Sequence, residues 1–486
     1  MVATKTRSRP LLERDAFPRL LSPWILRDDT DNLLLYKGVV SELKYFVLSP
    51  PQALILPFFS GTRSYAEIQA IWLYLTKRTD ETGGLRSLDK LVRDLMAPEK
   101  IIGLDGTPSP SLRDPAKVPL PDFRRYRWPA ERTSIPVSVL VTLTNRCIAD
   151  CRYCYAERNR CPELTCAEWI EIFDQLSAHL IRLVDLAGAD PFARHDIFDL
   201  LTAMVERDFI FSVSTKGLVS AAAARRLADL GIGRAEPGGL ERGLQVSVDS
   251  VRNDVASWLT GVTNYCDRAK ATTANLIAAG LNPRIKCVLT PYNWSETENL
   301  VGTFSALGVR RFQFVQYGRS HYRHSDDLFL TKEQKARLHQ SLPALASEHA
   351  DLEIIYQDET GESQTAAQLK TAWKMRAVCT GGRSALVILP NGDVTLCEQI
   401  PHAPEYVVGN LLREDLRNIW NARALTDLLH PPRNKFEGTA CFSCQQFDQC
   451  HLGRGYCYRD SLLAFGSIYD APPACPLQTK IPRRII

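Results

Sequence analysis

From Ser138 onward, short apolar runs rich in β-branched residues alternate with longer segments of helical period, and this alternation limits the folds open to the chain. Candidate strands are Ser138–Thr144, Leu180–Leu186, Ile210–Thr215, Leu244–Val248, Arg284–Leu289 and Arg311–Gln316. Candidate helices fall between them at Thr165–His179, His195–Arg207, Val219–Leu230, Tyr265–Ala279 and Ser295–Leu307, with Thr331–Ala350 after the last strand. Such alternation predicts an α/β fold with a parallel sheet and helices outside it. Six units rather than eight suit a TIM-like barrel that stays partly open, its active face formed by the loops at the strand C-termini.

The first of those loops carries Cys147-Ile-Ala-Asp-Cys151-Arg-Tyr153-Cys154, directly after the run Val137 to Thr144. A spacing of three residues, then two, lets one compact loop offer three thiolates to three irons of a cubane. The fourth iron then keeps an open position. A zinc loop would call for a fourth ligand nearby, and none of the usual cysteine or histidine candidates stands close by in sequence.

This loop resembles the signature of the radical S-adenosylmethionine (SAM) superfamily, including the aromatic Tyr153 before the third cysteine. The resemblance implies a partial (βα)6 barrel whose free iron chelates SAM. One electron then yields methionine and a 5'-deoxyadenosyl radical that abstracts hydrogen from an unactivated C–H bond. Ala187-Gly188-Ala189-Asp190-Pro191 follows the second strand, where the family commonly has Gly-Gly-Glu-Pro. Ser214-Thr215-Lys216-Gly217 stands where relatives carry Thr-Asn-Gly, and Ser247-Val248-Asp249-Ser250 resembles their Ser-Leu-Asp. Thr260-Gly261 takes the place of a later Arg-Gly. The implied SAM contacts are Tyr153, Gly188, Ala189, Asp190, Ser214, Ser247 and Asp249.

The C-terminal region repeats the cysteine theme. Cys379 is followed by twelve residues, Gly392, four residues and Cys397; then come Cys441-x2-Cys444-x5-Cys450, six residues, Cys457, seventeen residues and Cys475. This resembles the SPASM extension, which holds two auxiliary [4Fe–4S] clusters in radical SAM enzymes acting on peptides and proteins. The six-residue gap before Cys457 departs from the usual three. By resemblance, Cys441, Cys444, Cys450 and Cys475 ligate one cluster completely. Cys379, Cys397 and Cys457 ligate the other, whose fourth position is left open to substrate or a neighbouring side chain. A zinc ribbon built on Cys441 and Cys444 is the alternative, though seven cysteines fit two cubanes better. The region lacks long periodic segments, so metal is expected to organise it. Cys161, Cys166, Cys266 and Cys287 have no partner spacing and read as ordinary thiols.

Upstream, Leu33–Tyr36 and Tyr45–Leu48 suggest a β-ribbon, followed by helical patterns at Pro51–Phe59, Tyr65–Thr76 and Leu88–Met96. This stretch is similar to the small winged-helix module related to the PQQ-biosynthesis chaperone (PqqD-like). The resemblance implies that its ribbon edge takes up a precursor leader as an added strand. A plain helical cap and a nucleic-acid winged helix are the other readings. Seven prolines between Pro108 and Pro136 mark a linker. The expected divisions are a recognition module at 20–104, a linker at 105–136, the barrel at 137–350, a bridging segment at 351–378 and the SPASM domain at 379–486.

A net charge of +4 argues no nucleic-acid partner, and Met1–Pro10 is basic without an apolar run behind it. No apolar stretch of about 18 residues exists, so no membrane span is expected. Fourteen cysteines without a signal peptide point to metal in a reducing cytoplasm rather than to disulfides. Together these features predict a radical SAM/SPASM enzyme with SAM and three [4Fe–4S] clusters, acting on a ribosomal precursor peptide with a leader. A flavodoxin or ferredoxin would serve as electron donor, and an intrapeptide carbon–carbon or thioether crosslink would be the product. Single-residue oxidation of a protein, as in sulfatase maturation, and a non-catalytic peptide-binding partner are the alternatives. No catalytic acid or base is singled out: Glu398 and Asp460 stand beside cluster ligands and read as solvated surface carboxylates.

Overall fold

The computed structural model describes residues 12–480 except 23, 30–32, 38–43, 78–79, 97–99, 107–108, 110–131, 159–160, 235–241, 358–370, 372 and 377. The described residues fall into two compact units that divide between Ser134 and Ile135. The basic start Met1–Pro10 and most of the expected linker lie outside the described residues.

The first unit contains strands β1 (Arg19–Leu20), β2 (Ile25–Asp28), β3 (Leu33–Lys37), β4 (Lys44–Val47) and β5 (Ile102–Gly103). Antiparallel pairing gives a three-stranded sheet of order β2-β3-β4, and β1 pairs with β5. The expected ribbon is β3–β4, and β2 adds a strand to it. Helices α1 (Pro50–Ile55), α2 (Tyr65–Thr76) and α3 (Glu81–Met96) pack on this frame. Ser64 caps α2 through a reciprocal pair with Glu67, its hydroxyl accepting the Glu67 N–H at 3.3 Å. Leu88, Val92 and Leu95 recur at helical spacing on α3 and join Trp24, Leu35, Phe59 and Trp72 in a core.

In the second unit seven strands run parallel: β6 (Ser138–Val141), β7 (Leu183–Leu186), β8 (Phe211–Thr215), β9 (Arg242–Ser247), β10 (Arg284–Leu289), β11 (Arg311–Gln316) and β12 (Glu353–Gln357). A parallel bridge between Leu183 and Ile210 links β7 to β8. Outside lie α4 (Cys166–Ala178), α5 (Ile197–Glu206), α6 (Ala221–Asp229), α7 (Asn253–Thr260), α8 (Tyr265–Ala278), α9 (Thr297–Ser305) and α10 (Lys332–Glu348). Six of the strands are those expected; β12 is a seventh, inside the stretch read as a bridging segment.

Alternation along the strands sets two faces. Phe211, Val213, Leu244, Val246, Ile285 and Leu289 are buried with the helices. The partly exposed positions Asp185, Ser212, Ser214, Gln245, Ser247 and Lys286 lie on the opposite face, toward the barrel interior.

The C-terminal region is not organised by metal alone, as its sequence suggests. Strand β13 (Ala385–Ile388) pairs in parallel with β6, on the side away from β7. Strands β14 (Asp393–Thr395) and β15 (Gly409–Asn410) follow antiparallel. Helices α11 (Leu416–Trp420), α12 (Arg423–Leu429), α13 (Phe447–Leu452) and α14 (Tyr458–Phe465) complete the region. Leu386, Ile388, Val394, Ile419, Trp420 and Phe436 are buried in the same core as the barrel. Short elements hide their apolar period, yet their side chains share one interior.

Candidate active site

The loop after β6 is held by its backbone. The N–H groups of Asp150 and Arg152 donate to the Thr260 and Leu259 carbonyls at 2.7 and 2.9 Å, satisfying two of the orphan acceptors at the end of α7. That end needs Gly261: its φ is +70°, and an added methyl would come within 3.3 Å of Asp150 Cβ. From the other side Arg323 Nη1 donates to the Asp150 and Cys151 carbonyls, both at 3.2 Å. Arg158 reaches the Ala149 carbonyl at 2.6 Å and stands 3.9 Å from Cys154 Sγ.

Cys147, Cys151 and Cys154 are brought within one another's electrostatic reach. Burial pushes Cys151 up to about 11; Lys216 opposes this, while Asp249, Cys154 and Cys147 add to it. Cys147 is raised by burial first, with the Ala149 N–H and Arg158 pulling back and Asp190 and Cys154 adding. Thiols of this kind lose their protons to a metal, whose charge reverses the local balance.

Beneath the loop lies a connected polar network. The Tyr153 hydroxyl donates to Asp249 Oδ2, which also accepts from Lys216 Nζ at 3.2 Å; Asp249 Oδ1 accepts the Val288 N–H at 3.0 Å. Burial alone would pull Lys216 down, but Asp249, Cys151 and Tyr265 outweigh it and hold the ammonium well above the ordinary lysine range. The Tyr153 and Tyr265 rings flank it at 5.4 and 5.6 Å. Asp190 accepts from the Thr215 hydroxyl at 2.9 Å, from the Lys216 N–H at 2.9 Å and from the Phe192 N–H at 3.0 Å. Asp190 and Asp249 are thus braces between strand ends. Gly188 has φ +87°, and a methyl there would fall 2.5 Å from Thr142 Cγ2, so only glycine fits. Ala189, Ser214 and Ser247 are half-buried near the same strand ends.

The C-terminal thiols form two sets. Burial, then Cys475, Cys450 and Cys444, drive Cys441 up to about 12. Burial also pushes Cys397 up to about 12; Cys379, Glu398 and Cys457 add to the rise, and the Gln399 N–H opposes it. The longer gap before Cys457 is pinned by two arginines. Arg376 donates to the Gly455 carbonyl at 2.7 Å and to Cys450 Sγ at 3.1 Å, and Arg383 donates to the His451 carbonyl at 2.8 Å. All fourteen cysteines are free thiols. Among the described residues no three His, Cys, Asp or Glu side chains converge as they would on one metal ion. Around one zinc, with Zn–S bonds of about 2.3 Å, sulfurs would stand ~3.8 Å apart.

Family models bear on the same segments. The one described as the radical SAM superfamily matches residues 141–303, and the SPASM iron–sulfur cluster-binding domain matches residues 379–446. The chain carries a radical SAM domain and a SPASM domain. PqqA peptide cyclase of Methylocella silvestris is 25% identical over 352 residues, covering 70% of this chain and 88% of that one. Mycofactocin maturase MftC of Mycobacterium tuberculosis is 26% identical over 329 residues, covering 65% and 78%. The crystal structure of Streptococcus suis SuiB bound to precursor peptide SuiA has a TM-score of 0.64 at 17% identity, covering 94% and 99%, and shares the fold.

Two carboxylates of this radical SAM/SPASM protein are not the surface groups their sequence suggests. Glu398 is pushed up to about 7 by burial and then by Asp185, against Tyr155, Gln399 and Lys286, and its Oε2 is buried without a hydrogen-bond partner. Asp460 is hydrogen-bonded to Cys457 and pairs with Arg459 at 3.0 Å. Other residues escape sequence reasoning because their partners are remote. Lys216, Arg323, Arg376 and Arg383 look like ordinary solvated cations until the fold carries them to the cysteine loops. Glu157 is another: hydrogen bonding from His321 holds it down at about 2, and it also accepts the His402 N–H at 2.9 Å.

Proposed function

We propose that this radical SAM/SPASM protein oxidatively modifies a ribosomally made precursor peptide, forming a carbon–carbon or thioether crosslink within it. The observation that carries this reading is the sorting of ten thiols into three sets, one on the barrel rim and two in a C-terminal region that continues the barrel's sheet. Cys147, Cys151 and Cys154 would hold the SAM-binding [4Fe–4S] cluster. Cys441, Cys444, Cys450 and Cys475 would hold one auxiliary cluster, and Cys379, Cys397 and Cys457 the other. With SAM bound, these groups supply a 5'-deoxyadenosyl radical and an acceptor for the surplus electron. The names of its relatives, a peptide cyclase and a maturase, support a peptide substrate.

The chain's own residues do the rest. Tyr153, Lys216 and Asp249 fix the loop from beneath, and Gly188 opens room beside it. Asp190 ties the β7 and β8 ends together, and Ala189, Ser214 and Ser247 complete the SAM-facing surface. The polar inner face from Asp185 to Lys286 receives the core of the peptide. The edge of β4 takes the leader as an added strand. A flavodoxin or ferredoxin supplies the reducing electron. Fourteen free thiols fit a reducing cytoplasm.

The test is anaerobic co-expression with short open reading frames encoded beside the gene, followed by mass measurement of the peptides, with Cys151→Ala as control. Loss of two hydrogens per event, absent in the control, is expected. An unchanged mass, with the peptide bound and three clusters assembled, overturns the reading.

A further inference from the structure

We infer that Arg376 raises the reduction potential of the cluster on Cys441, Cys444, Cys450 and Cys475, making it the auxiliary centre where the surplus electron settles. This rests on the reading of those four thiols as the complete ligand set of one [4Fe–4S] cluster. Arg376 stands outside that run of cysteines in sequence, yet the fold brings its Nη2 to 3.1 Å from Cys450 Sγ. The side chain has little freedom to leave. Nε and Nη2 both donate to the Gly455 carbonyl, at 2.9 and 2.7 Å, and Nη1 donates to the Trp373 carbonyl at 2.7 Å. The guanidinium also lies 3.9 Å from the centre of the Trp373 ring. Its main chain is held too, the Arg376 carbonyl accepting from Arg454 Nη1 at 2.7 Å.

Among the described residues no carboxylate pairs with Arg376. Carbonyls and a ring face carry no net charge, so the guanidinium acts on the sulfur undiminished. The sign of its effect is already visible on the thiols: burial pushes Cys450 up, and Arg376 is the first group to oppose that rise. The second auxiliary set has no such contact. Asp470 beside Cys441 and Asp460 beside Cys457 each have a cation of their own, Lys480 at 2.8 Å and Arg459 at 3.0 Å. Arg383 eases Cys379, but its Nη2 goes to the His451 carbonyl. Among the described residues only Arg376 donates from a charged side chain to a sulfur of either auxiliary set.

A reduced cluster bears one more negative charge than an oxidised one. A fixed cation with an N–H on a ligand sulfur therefore favours the reduced form, net charge and hydrogen bonds to sulfur being two levers on such potentials. The step governed is a one-electron transfer. The peptide radical left by bond formation is oxidised by one electron, and the cluster is reduced by one. Arg376 keeps its protons throughout, and no bond to it forms or breaks.

The experiment is a potentiometric titration of the reconstituted full chain, followed by electron paramagnetic resonance. Cys147, Cys151 and Cys154 are all changed to alanine in the parent, so that only the two auxiliary sets contribute. That parent should hold about eight irons and show two one-electron waves. Fewer irons would sink the two-cluster reading before any potential is read. Arg376→Gln should shift the reduction equilibrium of the higher wave about tenfold or more, some ~59 mV downward for one electron, and leave the lower wave in place. Arg376→Lys, which keeps the charge but cannot hold both Gly455 and the sulfur, should fall between. Lys374→Met, which removes an exposed cation two residues away, should move neither wave. An iron-replete Arg376→Gln with both waves unmoved, with both lowered equally, or with only the lower one shifted overturns the proposal. Should Arg376→Gln lose iron, Arg376→Lys decides: a lowered upper wave supports the proposal, and an unmoved one overturns it.

Discussion

A buried ammonium has to be matched, and Lys216 is matched by one carboxylate, Asp249, and by the faces of two tyrosine rings. Replacing only the lysine leaves Asp249 as a buried charge with too few donors. Lys216→Met should therefore destabilise the barrel by about 3–5 kcal/mol, the usual cost of breaking one side of a buried pair. Adding Asp249→Asn should recover most of that loss. Denaturant midpoints of the two variants decide the matter: equal losses would mean that the pair is not the source. Legibility at this scale follows sequence distance. The three cysteines of the loop announce themselves because their spacing is local. Lys216 does not, because its carboxylate is 33 residues away and its substitution for the asparagine of relatives reads as a surface change. Glu398 fails in the same way: only the fold shows that Asp185 and Lys286 face it.

Among the elements, those with a complete hydrophobic period were legible to the residue, as β10, β11 and α2 show. Helix α7 was missed because its eight residues span only two turns, and β12 because it follows the point where six units had been counted. The edge strand β4 is the element whose use can be tested. Among the described residues it pairs only with β3, and Phe46 on it is 43% exposed. Neighbouring residues of a strand direct their N–H groups to opposite edges, so proline at Tyr45 and proline at Phe46 have different consequences. One removes a ladder donor and should melt the ribbon. The other removes a donor at the free edge and should leave the circular dichroism intact while weakening precursor binding about tenfold, near 1.4 kcal/mol. Wild-type affinity in the folded proline variant would exclude strand addition at β4.

For the second unit as a whole, the decisive feature is a single sheet running from β15 through β13, β6 and on to β12, joined between β7 and β8 by one bridge. Chelating the iron should therefore divide the C-terminal region into two classes. Amides of β13 should keep hydrogen-exchange protection close to that of β6, because backbone pairing and apolar burial hold them. Amides between Cys441 and Cys475 should lose protection by tenfold or more, because without metal their short turns have little else to close them. Uniform loss across both would show that metal holds the sheet as well. The cysteine count made the metal legible from sequence, but not the pairing of β13, since a four-residue apolar run has no period to give it away.

That pairing has a consequence for the history of such a chain. With β7 on one side and β13 on the other, β6 has no open row of peptide groups. Trimming the chain before Cys379 would bare one along the barrel's first strand, an invitation to edge-to-edge aggregation. The C-terminal region is thus the barrel's missing stave rather than cargo attached to it. A lineage that discarded its auxiliary iron would still have to keep the hairpin that carries Cys397, or grow another strand in its place.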